Sequence, residues 1–389
     1  MRAAAFVVGC LALSICGSAA PSARIQGGGT GPAPAQGAST AVPRITNGRV
    51  VTQSAGSALD ATFRRLVAAQ PEPAWIGYAV PAVNRTEGRR CCSGDTWISD
   101  GIVFTNGRIA TCTLESGSPA STRRSPDQPA QLQSPVRLEG PDSVVVLYRV
   151  EDKAVQRMRI VSPDCELDAG GRAVTWLEGV TGPDSVRLLS TFVTRADVRS
   201  DRLTETALSA IAMHRDDAAD AALERFGAPS SPEFVRRKVT FWLGSTRGAR
   251  GFEAVKKIAR DDPSEEVRKS AMFGLSQGAD AQAVPELVRF ARQDASAKVR
   301  GEAIFWLAQK AGQRAAAEIT ASIENDPDTD VKKRAVFALS QLPKDEGIPL
   351  LIKVAKSNQN PAVRKQAMFW LGQSRDPRAL DFFAEVLSK

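Results

Sequence analysis

The chain has 389 residues, more than the roughly 100–200 of one typical domain, so two folded units with additional segments are expected. Apolar residues make up 43% and charged residues 24%, which suffices to bury a sizeable core. Beyond the N-terminus no run reaches the about 18 uninterrupted apolar residues of a membrane span, so the mature chain is expected to be soluble with no transmembrane segment.

Arg2, the apolar stretch Ala3 to Ile15 and the small residues Gly17-Ser18-Ala19-Ala20 read as a secretory signal peptide over residues 1–20, cut after Ala19. This predicts a periplasmic or secreted protein. A lipid anchor on Cys10 is the runner-up, because Val7-Val8-Gly9-Cys10 has an acceptable order but follows too short an apolar run. Removing the signal leaves Cys91, Cys92, Cys112 and Cys165, an even set that an oxidising compartment would pair. Neighbouring cysteines rarely meet disulfide geometry, so Cys91 and Cys92 are expected to reach different partners, Cys112 or Cys165. With no CxxC pair and one histidine in the chain, no metal site and no cofactor are expected.

Residues 21–55 are rich in Gly, Pro, Ala, Ser and Thr and read as a disordered linker. Ala58 to Gln70 is a short amphipathic helix through Leu59, Phe63, Leu66 and Val67, stopped by Pro71. Residues 56–195 otherwise carry strand signals and are expected to form a small β-rich domain, a sandwich or open barrel stapled by disulfides. Trp75 to Val80 is an apolar run between prolines. Trp97 to Leu114 reads as successive hairpins turned at Asp100-Gly101 and Asn106-Gly107, and Ser116 to Pro135 as a loop. Val144 to Val150 and Val155 to Val161 form a further hairpin turned at Glu151-Asp152-Lys153. Ala173 to Leu177 and Val186 to Val193 complete about seven strands.

From residue 199 the pattern changes. Val235, Val267, Val299, Val331 and Val363 recur every 32 residues, as do Phe241 to Phe369 and Leu243 to Leu371 in their own columns. A fixed period of this length is the signature of a solenoid. Val, the small residue four later and the Leu four later again share one helix face, and Ser264, Ser296, Asp328 and Asn360 stand where a side-chain oxygen caps that helix. A second apolar pattern about twelve residues after each Leu makes every unit a helical hairpin. Five units fill 231–389, and 199–230, with Leu203, Ala207, Ile211, Leu223 and Phe226, is a degenerate cap. The fold class is therefore α+β multidomain, a small β-rich domain followed by an all-α solenoid over 199–389.

The cores Val267-Arg268-Lys269-Ser270-Ala271, Val299-Arg300-Gly301-Glu302-Ala303 and Val363-Arg364-Lys365-Gln366-Ala367 resemble HEAT repeats, in particular the bacterial short-unit subgroup named after phycobilin lyase subunits. The resemblance implies the solenoid and little about activity, since this fold serves scaffolds, enzymes and nucleic-acid binders. HEAT-type hydroxylases hold iron through repeated His-Glu pairs, which a single His214 does not provide.

The Phe column shares its period with the Val and Leu columns and is read as core. Trp242, Trp306 and Trp370 alternate with Gly274 and Ala338, a large-against-small packing with ring edges as a secondary binding candidate. The Arg column beginning at Arg236 and the Asp column beginning at Asp262 suggest hydrogen bonds along the stack, and Gln277, Gln309, Gln341 and Gln373 are read likewise. His214, among Met213, Arg215, Asp216 and Asp217, stands at a helix end or loop. No phosphate loop, nucleophile elbow or paired-carboxylate signature is present, so catalysis is not expected.

Residues 230–389 hold 27 Lys+Arg against 20 Asp+Glu. On the second helices Lys257, Arg289 and Lys353 share one column, and Arg260, Arg292 and Lys356 the column three residues on, so both lie on one face. The resemblance implies that second helices line the concave side, giving a partly basic groove. The expected function is an exported scaffold binding another protein, or an acidic peptide segment, in the cell envelope. A lyase-like enzyme and a nucleic-acid binder are the alternatives, the latter disfavoured by the signal peptide, the modest net charge of +8 and the break in the basic columns at Ala321 and Glu324.

Overall fold

The protein is described from a computed structural model that covers residues 42–83, 112–115, 143–163, 165–193 and 202–388. The signal peptide, residues 21–41 of the linker, Cys91, Cys92, the hairpins from Trp97 to residue 111 and the Ser116–Pro135 loop lie outside the described residues.

The N-terminal part runs β1 (Ile45–Thr46), β2 (Arg49–Ser54), α1 (Leu59–Ala69), β3 (Ala74–Pro81), β4 (Cys112–Thr113), β5 (Ser143–Glu151), β6 (Ala154–Val161), β7 (Leu167–Asp168), β8 (Ala173–Glu178) and α2 (Gly182–Ser190). Five strands make one mixed sheet in the order β2-β8-β3-β5-β6; β2 and β3 run parallel to β8, and β3, β5 and β6 alternate in direction. β1, β7 and β4 form a small parallel sheet. Three expectations change here. Residues 45–54, read as linker, form β1 and β2. Val186 to Val193, read as a strand, begins inside α2, where Thr181 caps the helix and Pro183 occupies its first turn. Neither a sandwich nor a barrel forms among the described residues.

The strands alternate between two cores. Trp75, Ala79, Val145, Leu147, Val174 and Trp176 face a small cluster that also buries Cys112, Leu114, Cys165 and Leu167. Their neighbours Ile76, Tyr78, Val80, Val146, Tyr148 and Leu177 face the helices. A strand covered on both faces has no reason to alternate polar residues, so Trp75 to Val80 and Val144 to Tyr148 read as continuous apolar runs. The expected hairpin turn is present: Asp152 and Lys153 take φ of 52° and 57°, the mirror-image conformation that follows strand twist.

The helices continue as α3 (Arg202–Met213), α4 (Asp217–Phe226), α5 (Glu233–Thr246), α6 (Gly248–Asp261), α7 (Glu265–Ser276), α8 (Asp280–Gln293), α9 (Ala297–Ala311), α10 (Ala316–Asn325), α11 (Thr329–Ser340), α12 (Lys344–Ser357), α13 (Pro361–Ser374) and α14 (Pro377–Leu387). The Val and Leu columns are buried to 0–1% exposure throughout. The cap is the expected helix pair α3–α4, with Ala207, Ile211 and Leu223 fully buried. One apolar cluster runs without a break from Ile76 and Tyr148 through Ile211 to Phe382. The sheet thus closes the N-terminal end of the stack and shares its core. Among the described residues no helix is long and apolar enough to cross a membrane.

In three of the five units a repeated ion pair ties the first helix to the turn that leads into the next unit. Arg236 Nε lies 2.8 Å from Asp262 Oδ2, Arg268 Nε 3.1 Å from Asp294 Oδ2 and Arg300 Nε 2.7 Å from Asp326 Oδ2. The same carboxylates accept the backbone N–H of Ser264, Ser296 and Asp328 at 2.8–2.9 Å, so their lone pairs are satisfied as they are buried. Where the ladder ends both columns change together: Lys332 replaces Arg and its amine reaches the Glu324 carbonyl, while Asn358 replaces Asp.

Candidate functional site

The first helices pack flank to flank, α5 on α7, α7 on α9, α9 on α11 and α11 on α13, whereas successive second helices touch sparsely. Gly244 and Gly274 allow the closest approach; a Cβ on Gly244 would stand 2.4 Å from the Gly274 Cα. The first helices thus form one continuous packed face, and the second helices, on which the basic columns lie, stand apart from one another.

The Phe column lines the first-helix face and is not core. Phe241, Phe273, Phe305 and Phe337 are half-buried, and Phe369 is 52% exposed. The cause is angular: at about 100° per residue, a side chain two positions before the buried Leu points about 200° away from it. The rings form a continuous ladder over five helices. Phe241 stacks on Phe273 with centroids 5.1 Å apart and planes 9° apart, and Phe305 on Phe337 at 6.0 Å and 5°. Trp306 bridges the two stacks, 4.9 Å from Phe273 and 5.0 Å from Phe305 in edge-to-face contact. Trp370 continues the ladder 4.9 Å from Phe337 and 5.0 Å from Phe369, and Trp242 opens it 4.9 Å from Phe241. Beside the rings, four residues on along each helix, Gln277, Gln309, Gln341 and Gln373 are exposed. Between α9, α11 and α13 lies an open cleft of about 630 Å³ whose lining includes Phe337, Gln366, the basic Lys298, Lys333 and Arg334 and the acidic Asp328 and Asp330.

The six basic residues expected to bind a partner lie on the second helices, and four of them already hold carboxylates. Arg260 pairs with Glu286 at 2.6 Å, Arg289 with the same Glu286 at 2.9 Å, and Lys356 with Glu385 at 2.7 Å. Arg292 Nε donates to Glu318 at 2.6 Å. Arg289 also lies 4.2 Å over the Phe290 ring. Lys257 and Lys353 are exposed with no carboxylate in ion-pair range among the described residues. The acidic column that accompanies the basic one went unread in the sequence, although Glu286 and Glu318 stand 26 residues after Arg260 and Arg292.

His214 closes a fully buried chain of hydrogen bonds. Its Nδ1 meets the Ala210 carbonyl at 2.7 Å and its Nε2 the Ser185 hydroxyl at 2.8 Å; Ser185 lies 2.8 Å from the Tyr78 hydroxyl, itself 2.7 Å from that of Tyr148. A carbonyl only accepts, so Nδ1 carries the proton. Burial holds the imidazole down to about 4 and pushes Tyr78 up to about 12. His214, Ser185 and both tyrosines are 0% exposed, so the chain welds β3 and β5 to α2 and α3 and presents nothing to a substrate. Among the described residues no group of three His, Cys, Asp or Glu side chains is placed to hold a metal ion.

A family model described as HEAT repeats matches residues 316–389. No curated protein sequence matches the chain. Similar solved structures include human deoxyhypusine hydroxylase in complex with glycerol, at 15% identity over 52% of this chain and 90% of that one, with a TM-score of 0.29. The complex of CpcE and CpcF of phycocyanin lyase from Nostoc sp. matches at 20% identity over 51% of this chain and 80% of that one, TM-score 0.29. The Cnd3-Cnd2 subcomplex of S. pombe condensin matches at 18% identity over 52% of this chain and 28% of that one, TM-score 0.33. The HEAT unit matched at 316–389 recurs in register back to Val235, so the helical part is a HEAT-like solenoid whose first end the sheet caps.

Proposed function

We propose that the chain is an exported protein-binding scaffold that holds a segment of a partner across the row of first helices. The observation that carries this reading is the half-exposed aromatic ladder running over five consecutive helices with exposed amides beside it. Large rings left in contact with water on one continuous face are the composition of an interface core, and they are costly to leave uncovered. The basic second helices are a subsidiary reading, favoured by the exposure of Lys257 and Lys353 and weakened because Glu286, Glu318 and Glu385 already neutralise their neighbours. The Ser185–His214 pair, sealed in the core, has no part in this reading.

A photo-crosslinking amino acid in place of Gln309, compared with one in place of Lys353, tests the assignment. Discrete protein adducts at 309 are expected. Adducts confined to 353 would move the site to the basic helices, and none at either position would end the scaffold reading. Export rests on Arg2, the apolar run to Ile15 and the small residues to Ala20. Intact-mass measurement of the protein from its own host should give a chain starting at Ala20; one starting at Met1 would contradict export. Pairing of Cys91 and Cys92 with Cys112 and Cys165 is part of the same reading, supported by the burial of Cys112 and Cys165 to 0% and 1% and by neither being a free thiol.

A further inference from the structure

We infer that the segment held on the first-helix face is a proline-containing stretch in the polyproline II conformation, about 12 residues long, with acidic residues at both ends. This rests on the scaffold reading and names the chemistry of what the scaffold holds.

Spacing is the first argument. Packed helix axes stand about 8–10 Å apart, so the four steps from α5 to α13 span about 32–40 Å. Polyproline II rises about 3.1 Å per residue and repeats its side-chain directions every three residues, about 9.3 Å. One turn of such a ligand therefore advances it by one repeat, and about 12 residues cover the face. A β-strand repeats its side-chain direction about every 6.6 Å and falls out of step after one unit.

The amide column is the second. Gln277, Gln309, Gln341 and Gln373 each offer two donors and an acceptor at the repeat period. Among the described residues Gln309 and Gln373 have no side-chain hydrogen-bond partner, and Gln277 and Gln341 reach only the adjacent serine, at 3.2 and 3.1 Å. Polyproline II makes no internal hydrogen bonds, so its carbonyls are free to accept from these amides. An α-helical ligand has already used its own.

Ring orientation separates a peptide from a sugar. Phe241 and Phe273, and Phe305 and Phe337, each turn one face to the other, and Trp306 meets Phe273 and Phe305 beyond them, so most ring faces along the ladder are spent on neighbouring rings. A sugar packs on an open ring face. Ring edges are the positive end of the aromatic quadrupole and suit carbonyl oxygens, while the grooves between the ridges suit pyrrolidine rings. Charge sets the ends. In the middle of the face Lys298 is held by Glu265 and Glu266, and Arg334 by Glu302. Arg237 on α5 meets only the Ser270 hydroxyl, and Lys365 on α13 is exposed; neither has a carboxylate in ion-pair range among the described residues.

The test is calorimetric titration of the full mature chain with a synthetic peptide of about 12 residues, a proline run between glutamate pairs. Controls replace the prolines by glycine and serine, or by alanine, and a fourth probe is chitohexaose. The proline probe should bind about tenfold tighter than the glycine-serine one, because it arrives already ordered. Gln309→Ala with Gln341→Ala should weaken it about tenfold while the circular dichroism spectrum stays that of the wild type. Arg237→Glu with Lys365→Glu should weaken the glutamate-flanked probe and spare a glutamine-flanked one. Equal binding by the glycine-serine or alanine peptide overturns the conformational assignment and leaves the scaffold intact. No binding of the proline probe, with adducts still forming at position 309, overturns this inference alone. Binding of chitohexaose and of none of the peptides, with no adduct at either crosslinking position, overturns both.

Discussion

At the scale of single residues, His214 is where sequence and structure meet most sharply. Its uniqueness and its place at a helix end were legible from Met213 and the acidic pair that follows. Its partners were not, because Ser185 lies in a segment whose apolar run Val186 to Val193 mimics a strand, and Tyr78 is 136 positions away. Burial keeps the imidazole neutral, with a pKa near 4 against 6.5 for the open group. The folded state thus binds fewer protons than the unfolded one between those values. The stabilisation is complete above pH 6.5 and drains away as pH falls toward 4, a difference of about 3 kcal/mol for a group this deeply buried. Chemical denaturation of wild type at pH 7.5, 5.5 and 4.5 should follow this slope. His214→Gln should start lower at pH 7.5, having broken the Ser185 bond, and then stay nearly flat. Parallel losses in both proteins would place the proton uptake elsewhere.

At the scale of the helices, the period was fully legible and the face was not. Val, Phe and Leu recur with one spacing, which fixes the unit; whether two columns share a side depends on their angular offset, and the six-residue step from Val299 to Phe305 carries the ring away from the Val–Ala–Leu stripe. The Arg and Asp columns were legible for the opposite reason, since a fork and a carboxylate 26 residues apart have one productive meeting, across the joint between units. This difference gives a measurable contrast within one helix. Leu307→Ala removes a side chain 1% exposed and should cost about 2–5 kcal/mol. Phe305→Ala, two residues away, removes a half-buried ring from the ladder and should cost about 1 kcal/mol. Equal large losses in urea denaturation would return the Phe column to the core and remove the binding face with it. Breaking the buried pair by Arg300→Ala should exceed the Phe305 loss, because it strands the Asp326 carboxylate against the next unit.

For the molecule as a whole, the consequence of one core spanning sheet and stack is that the N-terminal part cannot melt alone. Tyr78 and Tyr148 pack in the same cluster as Leu208 and Ile211 of the cap. Arg247, at the start of α6, donates to Asp220 of α4 at 2.5 Å and to the His214 carbonyl, which binds the cap to the first unit. The small cluster on the other face of the sheet holds Cys112 and Cys165 beside Trp75 and Trp176. A disulfide there is worth on the order of 2–5 kcal/mol, acting chiefly by limiting the unfolded chain. In a stack where each unit touches only its neighbours, such a loss should propagate a short way and fade. Hydrogen exchange with and without reductant measures this directly. Reduction should speed exchange in β3, β5, α2 and α3, extend weakly into α5, and leave α11 and α13 unchanged. Faster exchange confined to the strands would mean that the sheet has a core of its own. An equal rise through α13 would mean that the repeats fold as one cooperative block, with the cap as their nucleus.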